Sequence, residues 1–328
     1  MSGGAAAAPL ISIPEAQAPP GAAEWYAGAD GAQLRAGLFP PSGPARGSVV
    51  LSPGRSEPIE KYFEVVRELT GRGFFVLVHD WRGQGLSVRM LKDPMAGHAR
   101  GWRTFLSDYR RLLEAFKTRL PRPWFALGHS MGGAMVALAL AEGETRLAAA
   151  VLSAPMLGLH LGRLKPGHAL WLSGLISLVG RGGTYAAPAI DPFDESFDGN
   201  VLTHDERRYD LFRKQLRACP EARISGPTFG WVLFALALCA RVRGARRIDR
   251  LEIPLTLVLA EKERLCDNPA ARALAERAPQ GRWIEIPGAF HEILMETDER
   301  RAMFWTAFDE TVDALAPTRK KALDPHAA

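Results

Sequence analysis

The feature that most constrains this chain is a short glycine-rich run between an apolar segment and an alanine-rich one. The run Gly128-His129-Ser130-Met131-Gly132-Gly133 follows the apolar residues Trp124–Leu127 and opens the helical pattern Gly132–Ala141. A G-x-S-x-G match alone is modest evidence. In this setting, however, it predicts a buried strand, a sharp strained turn and a helix, with the serine Oγ exposed at the turn. Ser130 is therefore the candidate nucleophile.

Strand-like and helix-like patterns alternate on both sides of this turn. Apolar runs typical of strands are Ser48–Leu51, Phe74–Val78, Trp124–Leu127, Ala148–Leu152, Leu255–Leu259 and Arg282–Ile286, and helical spacing occurs in Glu60–Thr70, Phe105–Leu120, Gly132–Ala141, Pro269–Arg277 and Asp298–Leu315. This order predicts an α/β fold with a mostly parallel, doubly wound sheet. A hairpin signal in Glu24–Leu38 precedes it.

The alternation stops after Pro155 and resumes at Pro254. The block between them shows helical patterns without a clear strand, which predicts a helical cap inserted between two strands. The expected organisation is a flexible N-terminal tail (1–22), an α/β core (23–155 and 251–316), a cap (156–250) and a flexible C-terminal tail (317–328). The N-terminal tail is rich in Ala, Pro and Gly, and it lacks the basic residues and apolar run of a secretory signal.

A serine needs a base and an orienting acid to become a good nucleophile. In a fold of this kind the acid and then the histidine follow the nucleophile along the chain. His291 follows the last predicted strand and is the candidate base. The loop after Leu255–Leu259 offers Glu263 and Asp267, and spacing alone leaves both open as the acid.

Two backbone N–H groups are expected to stabilise an oxyanion. One belongs to Met131, at the start of the predicted helix. The other belongs to Arg55, in the loop Ser52-Pro53-Gly54-Arg55-Ser56-Glu57 after an early strand. The Arg55 guanidinium is a candidate partner for an anionic headgroup, with pairing to Glu57 or Glu60 as the alternative.

Composition excludes several classes of protein. The formal net charge of +5 comes without a long Lys/Arg block, so no nucleic-acid partner is expected. The three cysteines, Cys219, Cys239 and Cys266, are far apart and show no metal-ligand spacing. We therefore expect no metal, no disulfide framework and a reducing, cytoplasmic location.

Seven segments together carry a resemblance to a known group of enzymes. They are Pro53-Gly54-Arg55-x-Glu57, Asp80-x-Arg82-Gly83-Gln84-Gly85-x-Ser87, Asp93-Pro94-x-x-Gly97-His98, His129-Ser130-Met131-Gly132-Gly133, Ala154-Pro155-Met156, Gly226-Pro227-Thr228-x-Gly230-Trp231 and Glu261-x-Glu263-Arg264-x-x-Asp267-Asn268. In order and combination they resemble the monoacylglycerol lipase and serine aminopeptidase-like branch of the α/β-hydrolases. Within that branch the chain is most similar to the proteobacterial inner-membrane lysophospholipase family.

The resemblance implies a serine hydrolase without metal or organic cofactor. It selects Glu263 as the acid, where most relatives carry an aspartate, and gives Asp267 a supporting role. It favours lysophospholipids as substrates, cleaved to a fatty acid and a glycerophospho-compound. A monoacylglycerol lipase or general carboxylesterase is the alternative, followed by a proline-iminopeptidase-like peptidase and a non-catalytic binding protein.

The predicted cap fits a lipid substrate. Residues 156–250 hold fourteen Lys/Arg against nine Asp/Glu, together with apolar patches around Leu170–Val179 and Trp231–Leu238. Trp231 and Trp171 are candidate substrate-binding residues. A basic, apolar cap is suited to peripheral contact with a membrane surface, such as the inner membrane; a cap packed on its own domain is the alternative.

Overall fold

The computed structural model describes residues 6–162, 164–189, 191–193 and 196–317. Within these residues one sheet contains nine strands in the order β1-β2-β3-β5-β4-β6-β7-β8-β9. The strands are β1 (Ala7–Ala8), β2 (Ala22–Ala27), β3 (Gln33–Phe39), β4 (Ser48–Ser52), β5 (Phe75–His79), β6 (Trp124–His129), β7 (Leu147–Ser153), β8 (Leu255–Ala260) and β9 (Gly281–Ile286). The α/β fold is confirmed.

The six strands from β5 to β9 in this order pair in parallel, and β1, β2 and β3 add an antiparallel edge. The predicted hairpin is the β2–β3 pair. Because the carboxyl ends of parallel strands meet at one edge of the sheet, the loops after β4, β6, β8 and β9 lie near one another. The predicted nucleophile, acid and base all lie in these loops.

Helices cover both faces of the sheet. They are α1 (Phe63–Gly71), α2 (Trp102–Phe116), α3 (Met131–Ala141), α4 (Pro166–Leu178), α5 (Glu206–Ala218), α6 (Phe229–Arg243), α7 (Asn268–Arg277) and α8 (Asp298–Val312). Neighbouring residues of one strand face opposite sides, so Ala126 packs in the core with α2, α3 and α7. Phe125 and Leu127 pack in the core with α1 and α8.

Helices α4, α5 and α6 lie between β7 and β8, where the sequence predicts the cap. Helix α6 packs onto the core, and its Phe234 ring lies 4.7 Å from that of Phe105. Helix α4 has an exposed apolar face that includes Leu178, which is 83% exposed. In the described part of the chain no helix is both long and apolar enough to cross a membrane.

The N-terminal segment differs from the flexible tail that its composition predicts. Residues 7–8 pair with β2, and Ile13 and Ala16 are buried. The Pro9 carbonyl accepts a hydrogen bond from Arg35, and the Ile11 N–H donates to Glu60. Main-chain groups make most of these contacts. The segment is therefore held in place without a periodic pattern of apolar side chains that the sequence could show. Residues 1–5 and 318–328, which fall in the predicted tails, lie outside the described residues.

Candidate active site

Ser130 lies at the sharp turn between β6 and α3. Its backbone has φ 49° and ψ −114°, a conformation that L-residues rarely adopt. A Cβ on Gly132 would lie 2.0 Å from the carbonyl oxygen of Ser52, and one on Gly128 would lie 2.8 Å from Cα of Gly133. The close approach of the backbones therefore requires both glycines. The turn they allow holds the serine at the carboxyl end of β6.

His291 lies in the loop after β9 and contacts Ser130 directly. Its Nε2 is 2.9 Å from Oγ of Ser130, and its Nδ1 is 2.7 Å from Oε2 of Glu263. A carboxylate only accepts hydrogen bonds, so Nδ1 donates to Glu263. In the neutral ring Nε2 then accepts from the Ser130 hydroxyl. The structure thus brings these three residues together in one hydrogen-bonded chain.

The two carboxylates that spacing left open have different partners. Oε2 of Glu263 faces His291, and its Oε1 accepts hydrogen bonds from two backbone N–H groups of its own loop, at 2.8 and 3.2 Å. Asp267 caps helix α7, with its Oδ1 3.3 Å from the N–H of Ala270. The geometry therefore favours Glu263 as the acid behind His291.

Charge interactions set the protonation states of this pair. Burial acts to lower the pKa of His291, but its hydrogen bond to Glu263 and nearby glutamate charges outweigh burial and raise that pKa above 6.5. Burial acts to raise the pKa of Glu263, but hydrogen bonds from His291 and the loop backbone lower it. The arrangement stabilises the imidazolium that forms when His291 takes a proton from Ser130. Burial lowers the pKa of neighbouring His129 to about 4, so that ring stays neutral.

The loop after β4 lies against the turn at Ser130. Nε1 of Trp81 donates to the Pro53 carbonyl at 2.7 Å, and the Gly54 N–H donates to Oε2 of Glu57. Arg55 and Ser130 line the same cavity. Met131 is the first residue of α3. Its backbone N–H therefore belongs to the first turn of the helix, where N–H groups have no acceptor within the helix. The two predicted oxyanion donors thus flank Ser130, one on the loop after β4 and one at the start of α3.

A buried charge network next to His291 was not predicted. Nζ of Lys61 lies 2.8 Å from Glu57 and 2.6 Å from Glu292, and the Tyr62 hydroxyl donates to Glu57 at 2.6 Å. Burial acts to raise the pKa of Glu57, but the charges and hydrogen bonds around it lower it to about 2. Two carboxylates around one ammonium leave net negative charge near His291. The available signals were the four-residue spacing of Glu57 and Lys61 and the position of Glu292 beside His291.

Cys266 also lies in the site and was not predicted. It lines the same cavity as Ser130, and burial raises the pKa of its thiol well above 9, with the charge of Glu263 adding to the effect. Among the described residues, Glu263, Cys266 and His291 form the one group whose donor atoms are close enough for a metal ion, within 4.8 Å of one another. Glu263 and His291 are already bonded to each other and the thiol keeps its proton, so this set is suited to proton transfer rather than to holding a metal.

Ser130 opens into a cavity of about 510 Å³ beneath the helices between β7 and β8. Apolar side chains from these segments form much of its lining: Met156, Leu159, Leu161, Leu216, Ile224 and Val232. Polar groups, including Arg55, Lys61 and Glu292, lie around the other side. The cavity therefore combines a place for an acyl chain with a polar region near the nucleophile.

The two candidate substrate-binding tryptophans lie in different places. Trp231 is 9% exposed and lines the cavity, and the guanidinium of Arg55 lies 5.1 Å from the centre of its ring. The same guanidinium donates to the Ser225 carbonyl. Trp171 is 70% exposed on α4 and does not line this cavity. The expectation for Trp171 is therefore corrected: it lies on the outward face of α4.

Comparisons with known proteins identify a family and several relatives. Residues 43–298 match the family model Hydrolase_4, described as Serine aminopeptidase, S33. Lysophospholipase L2 of Escherichia coli K12 is 34% identical over 280 residues, which cover 78% of this chain and 77% of that protein. Monoglyceride lipase of Homo sapiens is 28% identical over 279 residues, covering 83% and 84%. The crystal structure of a soluble variant of monoglyceride lipase from Saccharomyces cerevisiae superposes with a TM-score of 0.72 at 19% identity, covering 95% of this chain and 100% of the other.

Proposed function

The chain belongs to the Hydrolase_4 (Serine aminopeptidase, S33) family of α/β-hydrolases, and on that premise we propose that it hydrolyses the acyl ester of lysophospholipids. It is an ester hydrolase of the lipase and lysophospholipase family. The observation that carries the proposal is the hydrogen-bonded chain from Ser130 through His291 to Glu263 at the wall of a partly apolar cavity.

The mechanism proceeds through an acyl-enzyme. His291 Nε2 takes the Ser130 proton while Oγ attacks the ester carbonyl, and the N–H groups of Met131 and Arg55 hold the oxyanion. His291 then protonates the leaving glycerol oxygen, which releases the glycerophospho-compound. Water, deprotonated by His291, attacks the acyl-serine, and His291 returns the proton to Ser130 Oγ as the acyl–oxygen bond breaks and the fatty acid is freed. Glu263 keeps the ring oriented and stabilises its charged form throughout.

The position of Arg55 supports a phosphorylated substrate. Its guanidinium lies in the cavity beside Ser130 and is oriented by Trp231 and the Ser225 carbonyl. A planar guanidinium binds phosphate through paired, charge-assisted hydrogen bonds. A monoacylglycerol carries no such group. The 34% identity to lysophospholipase L2 supports the same choice.

Peripheral contact with a lipid surface is part of this proposal. Helix α4 presents Trp171, Leu175 and Leu178 to the outside, and Leu178 is 83% exposed. Exposed Lys165 and Arg181 lie at the two ends of this helix. An apolar helix face flanked by cations is suited to the headgroup region of an anionic bilayer. Such contact would place the cap at the membrane surface, where single-chain lipids are found.

A substrate panel tests the proposal. Purified protein is given lysophosphatidylethanolamine, lysophosphatidylglycerol and monoacylglycerol of one acyl length, with Ser130→Ala as control. We expect release of fatty acid from the lysophospholipids at the higher kcat/KM, and labelling by a fluorophosphonate that Ser130→Ala abolishes. Preference for monoacylglycerol would replace the proposal with the lipase alternative, and release of a fluorophore from a proline amide would favour a peptidase.

A side-chain variant isolates the headgroup contact. Arg55→Gln removes the guanidinium but keeps the backbone N–H. We expect it to lower kcat/KM for lysophospholipids by about 10- to 150-fold, because a hydrogen bond to a charged group contributes about 1.5–3 kcal/mol, with little change for monoacylglycerol. Arg264→Gln, at an exposed arginine of the acid loop, is the matched control. An equal loss of kcat/KM on both substrates would show that the guanidinium does not bind the phosphate of the headgroup.

A further inference from the structure

A second cavity, of about 790 Å³, is bounded by helix α6 on the side away from Ser130. Gly230, Leu233, Phe234 and Ala237 of α6 line it, at a spacing that places them on one face of the helix. Trp231 and Val232, on another face, line the catalytic cavity. Among their described lining residues the two cavities share none. Helix α6 is thus a wall between two separate spaces.

The second cavity has a largely apolar lining. Its large side chains are those of Leu91, Trp102, Leu233 and Phe234. Much of the remaining wall is backbone, because five lining residues have no side chain: Gly101, Gly180, Gly182, Gly183 and Gly230. The hydroxyl oxygen of Ser177 is buried in this wall and has no hydrogen-bond partner among the described residues. An apolar space of this volume is large enough to bind a small lipid chain.

The rim of this cavity is cationic. Arg100 and Arg103 line it and are exposed, and Arg181 lies between two of its lining glycines. Within the described part of the chain, none of these three arginines forms an ion pair. The Arg103 guanidinium lies 4.5 Å from the Trp102 ring, which orients it over the apolar wall. Three cations without carboxylate partners favour an anionic ligand.

Two exposed apolar residues adjoin this cavity in the chain. Leu178 and Val179 are 83% and 63% exposed, and they stand between the lining residues Ser177 and Gly180. An amphiphile that reaches this face from a lipid surface would find the apolar cavity next to the cationic rim. We propose that the cavity binds the acyl chain of a single-chain anionic amphiphile, with its carboxylate or phosphate held by Arg100, Arg103 and Arg181.

The test uses the full chain with its catalytic cavity filled. Ser130 is first blocked with a hexadecyl fluorophosphonate, whose chain occupies the catalytic cavity. Dodecanoate and dodecyl phosphate, each below its micelle concentration, are then titrated by calorimetry, with dodecanol as the neutral probe. We expect one site per chain for the anions and at least tenfold weaker binding of dodecanol. Tighter binding of dodecanoate would indicate a fatty-acid ligand, and tighter binding of dodecyl phosphate would indicate a phosphorylated lipid.

Two variants assign the site. Arg100→Gln/Arg103→Gln removes rim charge and should weaken anion binding at least tenfold, which corresponds to about 1.4 kcal/mol or more. Ala237→Trp fills the cavity and should weaken all chains alike. The matched control is Arg246→Gln/Arg250→Gln, which removes two exposed arginines outside both cavities. Retained turnover of a short ester before blocking shows that each variant is folded.

Three results would overturn the inference. Loss of all anion binding on blocking Ser130 would place the chain in the catalytic cavity. Equal binding of dodecanol, or an equal effect of the control pair, would remove the role of the rim. Unchanged binding in Ala237→Trp would exclude the cavity. Since none of these readouts depends on which ester is cleaved, they are distinct from failure of the proposed function.

Discussion

Replacing Glu263 with glutamine should inactivate the enzyme by trapping the wrong tautomer of His291. In the structure Oε1 of Glu263 accepts from the N–H groups of Leu265 and Cys266, and Oε2 accepts from Nδ1 of His291. A glutamine must keep its oxygen at the first position, because its NH₂ group cannot accept those two bonds. The NH₂ group then faces Nδ1 and donates to it. The ring proton is left on Nε2, which can no longer accept from Ser130.

We expect kcat for Glu263→Gln to fall about 10⁴-fold, the loss known for such a tautomer change in a serine triad. This corresponds to about 5.5 kcal/mol of barrier at about 1.36 kcal/mol per decade. The assay is steady-state hydrolysis of a soluble ester, with urea unfolding to confirm that stability is retained. The matched control is Asp267→Asn, which should keep kcat within about tenfold and leave stability nearly unchanged, because asparagine caps a helix about as well as aspartate does. The reasoning is refuted if the control collapses turnover while Glu263→Gln keeps it.

Three other outcomes follow from the structure. The acid limb of the kcat/KM profile should lie above pH 6.5, because the pKa of His291 is raised above that value. His291 must be neutral to act, so activity is lost as the pH falls through the pKa of His291. A pH–rate profile with its acid limb at or below pH 6.5 would contradict this. Gly132→Ala, whose Cβ would meet the Ser52 carbonyl, should lose about 3 kcal/mol in urea unfolding; an unchanged midpoint would show that the turn is not tightly packed. Trp171→Ser/Leu178→Ser should lower co-sedimentation with anionic vesicles at least tenfold, since each large apolar side chain contributes about 1.5–3 kcal/mol on full burial. The control is Trp283→Ser/Leu315→Ser, which removes two exposed apolar side chains elsewhere on the surface. An equal loss in the control would count against docking through α4.

The fold and the positions of Ser130 and His291 could be predicted because both depend on chain order. Parallel strands place their carboxyl ends at one edge, so a serine after β6 and a histidine after β9 are brought together by topology alone. The choice between Glu263 and Asp267 could not be made this way. It depends on which carboxylate the loop backbone turns inward, and the two lie in the same short loop.

The buried charges around the site were beyond sequence patterns for a different reason. Lys61 and Glu57 lie at a helical spacing that usually marks a solvated pair, yet both are buried here. Their burial depends on Glu292, which comes from the far end of the chain. The outward position of Trp171 was missed because α4 is apolar on more than one face, so periodicity did not show which face packs inward.

The contacts of the N-terminal segment limit how far the protein can be shortened. A chain begun at residue 23 would lose the strand that covers β2, leaving a longer open edge able to pair with another molecule. It would also admit water to the Arg35–Glu60 pair, whose 2.7 Å contact is buried beneath that segment. Deletion of residues 1–22 should therefore cause self-association and lower solubility, while Ser130 and its partners stay in place.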